Sequence, residues 1–342
     1  MSGHDIIVIG ASAGGVEALA RIVAGLPADL PAALFVSVHF PSNSTSVLPD
    51  ILSRVGGLPA GHPEDGEAIV PGRVYIAPPD SHLLVGKGHV HVWRGPKENG
   101  HRPAADPMFR TAARSYGPRV VGVVLTGNLD DGTTGLLEVS DQGGVAVVQD
   151  PEEALFGGMP RSALENVHGA LCLLLDEIAP FLVRMAHEAP EEKGESPVPE
   201  PSEQNAVRRE LVEEGGADNP LVRDRASGLT CPECSGSLWE IPEGDMLRFR
   251  CRVGHSYSVD SLLTAQTETL EAALWSAINA LEEKADLATR MARRLGEASS
   301  VLAVERFRTQ ASESRRQARI LRDALLGSGI TSTPTAYQET AD

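Results

Sequence analysis

Three polar residues that together can carry out acyl transfer lie far apart in the sequence. Ser12 lies in the glycine-rich stretch Gly-Ala-Ser-Ala-Gly-Gly, His39 follows the apolar run Leu-Phe-Val-Ser-Val, and Asp131 follows Val-Val-Leu-Thr-Gly-Asn-Leu-Asp. A serine, a histidine and an aspartate provide a nucleophile, a general base and a carboxylate that orients the base. These residue types predict a serine hydrolase, provided that the fold brings them together.

Short apolar runs rich in β-branched residues precede each of the three side chains. Uninterrupted runs of this kind are typical of parallel strands buried on both faces. Because helical stretches lie between several of them, we predict an α/β fold with a doubly wound, mostly parallel sheet. The carboxyl ends of parallel strands share the edge at which ligands bind, so the three side chains should meet there. The runs are residues 5–10, 32–40, 120–127, 144–150 and 169–175.

One segment departs from the parallel pattern. Residues 83–93 alternate His-Val-His-Val after a Gly-Lys-Gly centre. A glycine-centred turn followed by alternating residues predicts an antiparallel hairpin, which we place at one edge of the sheet.

The glycines around Ser12 suit a nucleophile on a sharp strand-to-helix turn, because small neighbours leave the hydroxyl accessible. The Gly-x-Ser-x-Gly pattern by itself also fits a phosphate-binding turn, and that alternative stays open. A short-chain dehydrogenase fits poorly, because none of the four tyrosines is followed by a lysine four residues later. An ordinary α/β-hydrolase would place its acid before its histidine in the chain.

Charge and hydropathy exclude some classes of protein. The formal net charge is -17, which argues against nucleic-acid binding because that needs a basic surface. The N-terminus lacks the basic region of a signal peptide, and no apolar run approaches the roughly 20 residues that span a bilayer. We therefore expect a cytoplasmic protein with no direct membrane insertion.

Three of the four cysteines lie close together in the sequence, with a histidine beside them. Cys231 and Cys234 are separated from Cys251 and His255 by a stretch that predicts a β-hairpin. This spacing predicts a closed Cys3His zinc site with a structural role, in a zinc-ribbon-like module. A disulfide or unmetallated thiols remain as alternatives. Cys172, inside an apolar run, is expected to be a small buried residue.

Composition divides the chain further. A Pro-, Glu- and Ser-rich stretch predicts a disordered linker, and apolar residues at three- and four-residue steps predict two helices with a break near 296–300. The helices either pack on each other or on the module, or they form a dimer or partner surface. The predicted domains are an α/β domain (1–188), the linker (189–227), the zinc-ribbon-like module (228–258), a helical hairpin (259–328) and a disordered tail (329–342).

Six segments in the first half of the chain resemble the catalytic domain of the chemotaxis protein-glutamate methylesterases (CheB family). They are IGASAGGVEAL around Ser12, VSVHFP around His39, VYIAPPDSHL at 74–83, HRPAADPMF at 101–109, VVLTGNLDDGTTGL around Asp131 and FGGMPRSA at 156–163. They occur in the family's order. Together they are far more specific than any single motif.

The resemblance implies hydrolysis of glutamate γ-methyl esters on methylated chemoreceptors or receptor-like proteins, and deamidation of certain glutamines. It implies that Ser12 is the nucleophile, His39 the base and Asp131 the orienting carboxylate, with no metal or organic cofactor for catalysis. Asp130 is then expected to be a solvated turn residue. Two alternatives remain: a non-catalytic signalling scaffold and a small-molecule serine esterase.

The sequence also departs from the family. The family usually has threonine where Ala13 stands and methionine where Asn128 stands, and both positions lie beside its oxyanion site. Met159 and Arg161, like His82, are candidates for the substrate groove, although structural roles fit them equally well. Because Ser12 is so near the N-terminus, we expect no receiver domain, and a separate response regulator or other signalling protein could act on this chain instead.

Overall fold

The computed structural model describes residues 3–40, 46–190, 226–243, 246–295 and 301–327. The chain divides into two compact units, Met1–Leu262 and Leu263–Asp342. Most of the predicted linker and the whole predicted tail lie outside the described residues, as does the predicted break at 296–300.

The first unit begins with an α/β arrangement. Its strands are β1 (Ile6–Ala11), β2 (Ala33–Val38), β3 (Ala60–Gly61), β4 (Val74–Ile76), β5 (His82–Val85), β6 (Val90–Trp93), β7 (Val120–Val124), β8 (Val145–Gln149) and β9 (Leu171–Leu173). Its helices are α1 (Gly15–Ala24), α2 (Leu48–Val55), α3 (Ala105–Tyr116), α4 (Thr133–Asp141), α5 (Gly158–Asn166) and α6 (Leu175–His187).

Seven of these strands form one sheet in the order β3-β4-β2-β1-β7-β8-β9. Every neighbouring pair in it is parallel. This confirms the predicted parallel α/β fold. The chain leaves β1 toward β2 on one side and later returns to β7 on the other, so the strand order reverses at β1, which is where doubly wound sheets bind their ligands.

Helices cover both faces of this sheet. Along β1, Ile7 and Ile9 point into a core that also contains residues of α1, α2 and α6. Ile6 and Val8 point into the opposite core, which contains residues of α3, α4 and α5. Because successive side chains of a strand point to opposite faces, a strand between two cores must be apolar at every position, as β1 is.

The hairpin β5–β6 is antiparallel, as expected, with Leu83 opposite Val92. It is a separate two-stranded sheet and does not extend an edge of the parallel sheet. The hairpin is hydrogen-bonded to α3 instead. The Val85 N–H donates to Thr111 Oγ1, and Ser115 Oγ donates to the Val85 carbonyl. These contacts explain why the predicted position at the sheet edge was wrong.

The second part of the same unit, residues 226–258, is called the Cys/His segment below. Four antiparallel strands form it, with Leu238 opposite Cys251 in its central pair. The residues expected at the tip of the predicted hairpin, 244 and 245, lie outside the described part of the chain. Its strands are β10 (Ala226–Thr230), β11 (Ser237–Glu243), β12 (Met246–Cys251) and β13 (Ser256–Ser258).

Two long helices follow, α7 (Val259–Leu295) and α8 (Val301–Gly327). In the second unit Arg315 of α8 lies within ion-pair distance of Asp286 of α7, and Arg322 pairs with Glu282. The predicted helical hairpin is therefore present in this unit. Among the described residues, no helix combines the length and apolar character that crossing a membrane requires.

Candidate active site and metal-binding cluster

Three neighbouring strands carry the predicted triad to one edge of the sheet. Ser12 directly follows β1, His39 directly follows β2, and Asp131 lies between β7 and α4. His39 Nδ1 lies 3.0 Å from Ser12 Oγ, and His39 Nε2 lies 2.7 Å from Asp131 Oδ2. The fold thus brings together three side chains that are 27 and 92 residues apart in sequence. This hydrogen-bond chain has the connectivity of a nucleophile, a base and an orienting acid.

The turn that carries Ser12 depends on glycines on both sides of it. Gly14 has φ 76° and immediately precedes α1, a left-handed conformation that residues with a Cβ rarely adopt. Gly10 lies against the start of α3, where a Cβ would come within 2.7 Å of the Ala105 Cβ. These glycines let the chain turn sharply and let α3 approach β1 closely.

Thr126, two residues after the end of β7, holds the other side of the same turn. Its carbonyl accepts a hydrogen bond from the Ser12 N–H at 3.0 Å, and its hydroxyl donates to the Ala13 carbonyl at 2.9 Å. The hydroxyl also accepts from the Phe156 N–H at 2.9 Å. Sequence reasoning did not single out this threonine, because a lone threonine after an apolar strand carries no distinctive signal.

Asp131 is buried and accepts several hydrogen bonds. Besides His39, the Ala105 N–H donates to Oδ2 at 2.6 Å, and the Asp106 N–H and Asn99 Nδ2 donate to Oδ1 at 3.4 and 3.3 Å. Burial disfavours the charged form, but the hydrogen bond and charge of His39 outweigh it and lower the pKa of Asp131 to about 2. The carboxylate therefore stays ionised at the start of α3, where the helix dipole favours negative charge.

Asp106, next to this carboxylate, shows the opposite shift. Burial and the charge of Asp131 raise the pKa of Asp106 to about 7. Its two oxygens accept hydrogen bonds from the Gly135 N–H at 2.7 Å and from Asn99 Nδ2 at 3.1 Å. Two acids in contact therefore differ by several pKa units, and Asp131 is the one that remains charged.

His101 stacks on the base of the triad. Its ring centroid lies 3.7 Å from that of His39, and the rings are 11° from parallel. Burial, followed by the charge of His39, lowers the pKa of His101 to about 4, so His101 is neutral at physiological pH. His101 lies in one of the six family-like segments, but its contact with His39 was not predicted, because only the tertiary fold places the two histidines together.

The four other predicted site residues are in different settings. Ala13 is half-buried beside Ser12, and Asn128 is exposed. Met159 is fully buried, and it packs so close to Gly127 that a Cβ at 127 would lie 2.1 Å from its sulfur. Arg161 is exposed and pairs with Glu152, and the groove role predicted for it stays a prediction.

Two further expectations are resolved by hydrogen bonding and burial. His82 is fully buried and lies between the Pro96 carbonyl, 2.9 Å from Nε2, and the Ala104 N–H, 3.3 Å from Nδ1. These bonds give it a structural position. Asp130 was expected to be solvated, but its Oδ1 is buried. The expectation was wrong for this oxygen because the loop after β7 is only partly exposed: Asn128 faces solvent, whereas burial raises the pKa of Asp130.

The predicted metal ligands form a compact cluster. The candidate ligand atoms of Cys231, Cys234, Cys251 and His255 all lie within 4.8 Å of one another. The sulfurs of Cys234 and Cys251 are 3.6 Å apart, too far for a disulfide bond of about 2.05 Å. His255 Nδ1 lies 3.5 Å from the sulfur of Cys251 and 3.7 Å from that of Cys231. This cluster is able to bind a metal ion.

Cys172, the fourth cysteine, is exposed, although it was expected to be buried. It lies in β9, the last strand of the sheet, where neighbouring Leu171 is also exposed. The apolar run around it predicted a strand correctly. An edge strand, however, is covered less completely than a central one, which the run itself does not reveal.

Comparison with known proteins agrees with this geometry. The chain matches the family described as CheB methylesterase over residues 7–182, a span that contains all three triad residues. The chain belongs to the CheB methylesterase family. The Cys/His segment and the two long helices lie outside the matched span.

Relatives in the CheB methylesterase family carry the name protein-glutamate methylesterase/protein-glutamine glutaminase. One from Anaeromyxobacter dehalogenans is 40% identical over 189 residues, covering 54% of this chain and 53% of the relative. One from Caulobacter vibrioides is 37% identical over 187 residues, covering 53% of this chain and 54% of the relative. The chain thus spans about half the length of the curated relatives it matches.

A solved structure covers the same half of the chain. The crystal structure of the Thermotoga maritima CheB methylesterase catalytic domain is 35% identical in sequence, with a TM-score of 0.50. The match covers 54% of this chain and 99% of that domain. The CheB catalytic fold is therefore present here in full, followed by segments that the domain lacks.

Proposed function

We propose that this chain is a protein-glutamate methylesterase that uses Ser12, His39 and Asp131 as its catalytic triad. The observation that carries the proposal is the hydrogen-bond chain from Ser12 Oγ through both nitrogens of His39 to Asp131. It lies at the reversal point of a CheB-type sheet. The names of the relatives add protein-glutamine deamidation as a second reaction of the same site.

In the first step, His39 Nδ1 takes the proton of Ser12 as the hydroxyl attacks the γ-carbonyl carbon of a glutamyl methyl ester. The His39 Nε2–H donates to Asp131, whose negative charge stabilises the imidazolium that forms. The oxyanion develops beside the start of α1, where backbone N–H groups and the helix dipole favour negative charge. We propose that Ala13 and Asn128 contact it.

In the second step, His39 returns the proton to the departing methoxide, and methanol leaves an acyl-enzyme on Ser12. A water molecule, deprotonated by the same histidine, then hydrolyses the acyl-enzyme to the free glutamate carboxylate. With a glutamine substrate the leaving group is ammonia. Water is the only co-substrate that the balanced reaction needs.

The proposed substrate is a methylated chemoreceptor or receptor-like protein in the cytoplasm. A separate response regulator or other signalling protein is a further proposed partner. In this arrangement residues 1–188 are the catalytic domain, 228–258 the metal-binding module and 259–328 a helical hairpin available for packing or partner binding.

The test of this proposal is methanol release from a methylated receptor. We expect the purified chain to release methanol from receptor methylated by a chemoreceptor methyltransferase, and to do so faster than it hydrolyses a panel of simple esters. Hydrolysis of simple esters alone would favour a small-molecule esterase. If neither substrate is turned over and an active-site phosphonate does not label Ser12, the chain is a non-catalytic scaffold and the proposal is wrong.

We also propose that the Cys/His cluster binds structural zinc. Tetrahedral zinc with Zn–S bonds of about 2.3 Å and Zn–N bonds of about 2.0–2.1 Å places its sulfurs about 3.8 Å apart, and sulfur and nitrogen about 3.6 Å apart. The 3.6 Å separation of the Cys234 and Cys251 sulfurs and the 3.5 and 3.7 Å sulfur–nitrogen separations are close to these values. Four protein ligands would leave no open position, so the ion would support the fold and take no part in the reaction.

Metal analysis is expected to find about one equivalent of zinc in chain purified with reduced thiols and without chelator. Cys251→Ser should lose most of the metal and lower the melting temperature, because structural zinc supplies folding free energy. Cys172→Ser is the matched control. It should keep the bound zinc and the melting temperature of the unmodified chain, since Cys172 lies outside the cluster. Less than about half an equivalent of zinc in the unmodified chain would contradict the proposal.

A further inference from the structure

The side chain of Asn99 connects the candidate triad to the elements that follow the catalytic domain. On one side its Nδ2 donates to Asp131 Oδ1 at 3.3 Å and to Asp106 Oδ2 at 3.1 Å. On the other side its Oδ1 accepts from the Ser258 N–H at 3.1 Å and from Ser261 Oγ at 3.2 Å. Both polar atoms of this buried amide are therefore used. Nδ2 faces the two carboxylates, and Oδ1 faces the residues that follow the catalytic domain.

The backbone of the same loop pairs with the Cys/His segment. The Asn99 N–H donates to the Ser256 carbonyl at 2.7 Å, and the Ser256 N–H donates to the Lys97 carbonyl at 3.2 Å. Ser256 directly follows the candidate ligand His255. The position of this loop, residues 97–101, therefore depends on the position of the residue next to the metal cluster.

A buried ion-pair network joins the same loop to the Cys/His segment. Glu98 pairs with Arg110 of α3 at 2.7 Å and with Arg248 of β12 at 2.9 Å, and all three side chains are buried. Burial opposes ionisation of Glu98, but the two guanidinium groups hold its pKa well below the ordinary value. Moving one partner out of such a network would leave a buried charge without its counter-ion, which is strongly destabilising. The network therefore holds the loop in this position.

Loop 97–101 reaches two members of the triad. Asn99 binds the carboxylate of Asp131, and His101 stacks on the ring of His39. The matched part of the family fold supplies the triad itself, whereas the loop that contacts it is held both by Arg110 of that part and by residues outside it.

We propose that Asn99 is a positioning residue for Asp131 and that the Cys/His segment holds Asn99 in place. Asn99 fixes the rotation of the carboxylate by binding Oδ1, so that Oδ2 faces His39. This inference rests on the proposed hydrolase function. It adds that the segment after the catalytic domain is part of the catalytic architecture and is more than an independent appendage.

Asn99→Gly is the variant best suited to test this role. Asn99 has φ 51°, and glycine adopts that left-handed conformation without strain, so the backbone pairing with Ser256 is retained while the amide is removed. We expect kcat for methyl-ester hydrolysis to fall about 10- to 100-fold, the effect of losing a hydrogen bond to a charged group, with KM changed less than about two-fold. Asn279→Ala, at an exposed position of helix α7, should leave both constants unchanged.

A double-mutant cycle tests the link to the region after the catalytic domain. Ser261→Ala removes one donor to Asn99 without touching Asp131, and we expect it to lower kcat about three-fold. Because Ser261 acts through Asn99, the double variant should be no slower than Asn99→Gly alone. Additive losses would contradict the proposed link.

A proton NMR measurement distinguishes failure of this inference from failure of the proposed function. The His39 Nε2–H that donates to Asp131 should give a low-field signal in the unmodified chain, and that signal should shift in Asn99→Gly but not in Asn279→Ala. This NMR measurement needs no substrate. If the chain hydrolyses methyl esters and Asn99→Gly retains both the signal and the original kcat, Asn99 is not a positioning residue.

Discussion

Ser12→Ala is expected to lower the rate of methanol release from a methylated receptor by at least about 10⁴-fold, since removing the nucleophile of a serine triad costs about 10⁶-fold in a well-studied case. The hydroxyl is the only atom that the variant removes, and it is the atom 3.0 Å from His39 Nδ1. The backbone bonds of Ser12 to Thr126 and of Gly15 to Ser12 do not involve the side chain, so the turn should persist.

The control for this prediction is Ser312→Ala, which removes an exposed hydroxyl in α8. It should release methanol at the original rate. An active-site phosphonate should label the unmodified chain and Ser312→Ala but not Ser12→Ala. Equal methanol release by the unmodified chain and Ser12→Ala would remove Ser12 from the mechanism.

Asp131→Asn is expected to lower kcat by about 10⁴-fold, the effect measured for the equivalent change in a serine protease triad. Asp131 Oδ2 accepts from His39 and the Ala105 N–H, and Oδ1 accepts from Asn99 and the Asp106 N–H. Whichever oxygen the amide replaces, its NH2 group meets N–H donors. Where the NH2 group replaces Oδ2, the imidazole must rotate or change tautomer, and its nitrogen no longer accepts the proton of the serine. Where it replaces Oδ1, it meets the Asn99 and Asp106 donors and displaces the side chain from His39.

The matched control is Asp130→Asn, one residue earlier. Burial already raises the pKa of Asp130, so a neutral amide should be tolerated there. We expect this variant to keep kcat within about three-fold of the unmodified chain, because no hydrogen bond joins Asp130 to His39 among the described residues. Equal losses in Asp130→Asn and Asp131→Asn would mean that the loop, and not the orienting carboxylate, limits the reaction.

The difference in stability between the unmodified chain and Asp131→Asn should also depend on pH in a defined direction. The pKa of Asp131 is about 2 in the folded chain against an ordinary value of 3.8, so the unfolded chain binds a proton there more readily. Ionised Asp131 therefore contributes about 2 kcal/mol to stability above pH 4, and this contribution is lost as the pH falls to 2. The difference in unfolding free energy between the two proteins should shrink over that interval.

Much of the fold follows from local pattern. β1, β2, β7 and β8 are buried on both faces and so lie in unbroken apolar runs, which is why they were predicted. β4 has only three residues and was missed because such a short run has no recognisable period. α3 was missed although it carries polar side chains: Asp106, Arg110 and Thr111 are buried with its apolar residues, so the helix does not have the solvent-facing polar side of a surface helix.

Sequence patterns were enough to predict the residue types of the triad, the strands that carry them and the four candidate metal ligands. These depend on spacing and on strand ends, which are local properties. Three contacts became visible only in the folded chain: Asn99 binds Asp131, His101 stacks on His39, and Glu98 joins α3 to the Cys/His segment. Such contacts join residues up to 150 positions apart, and a single sequence contains no local pattern for a pairing that packing alone creates.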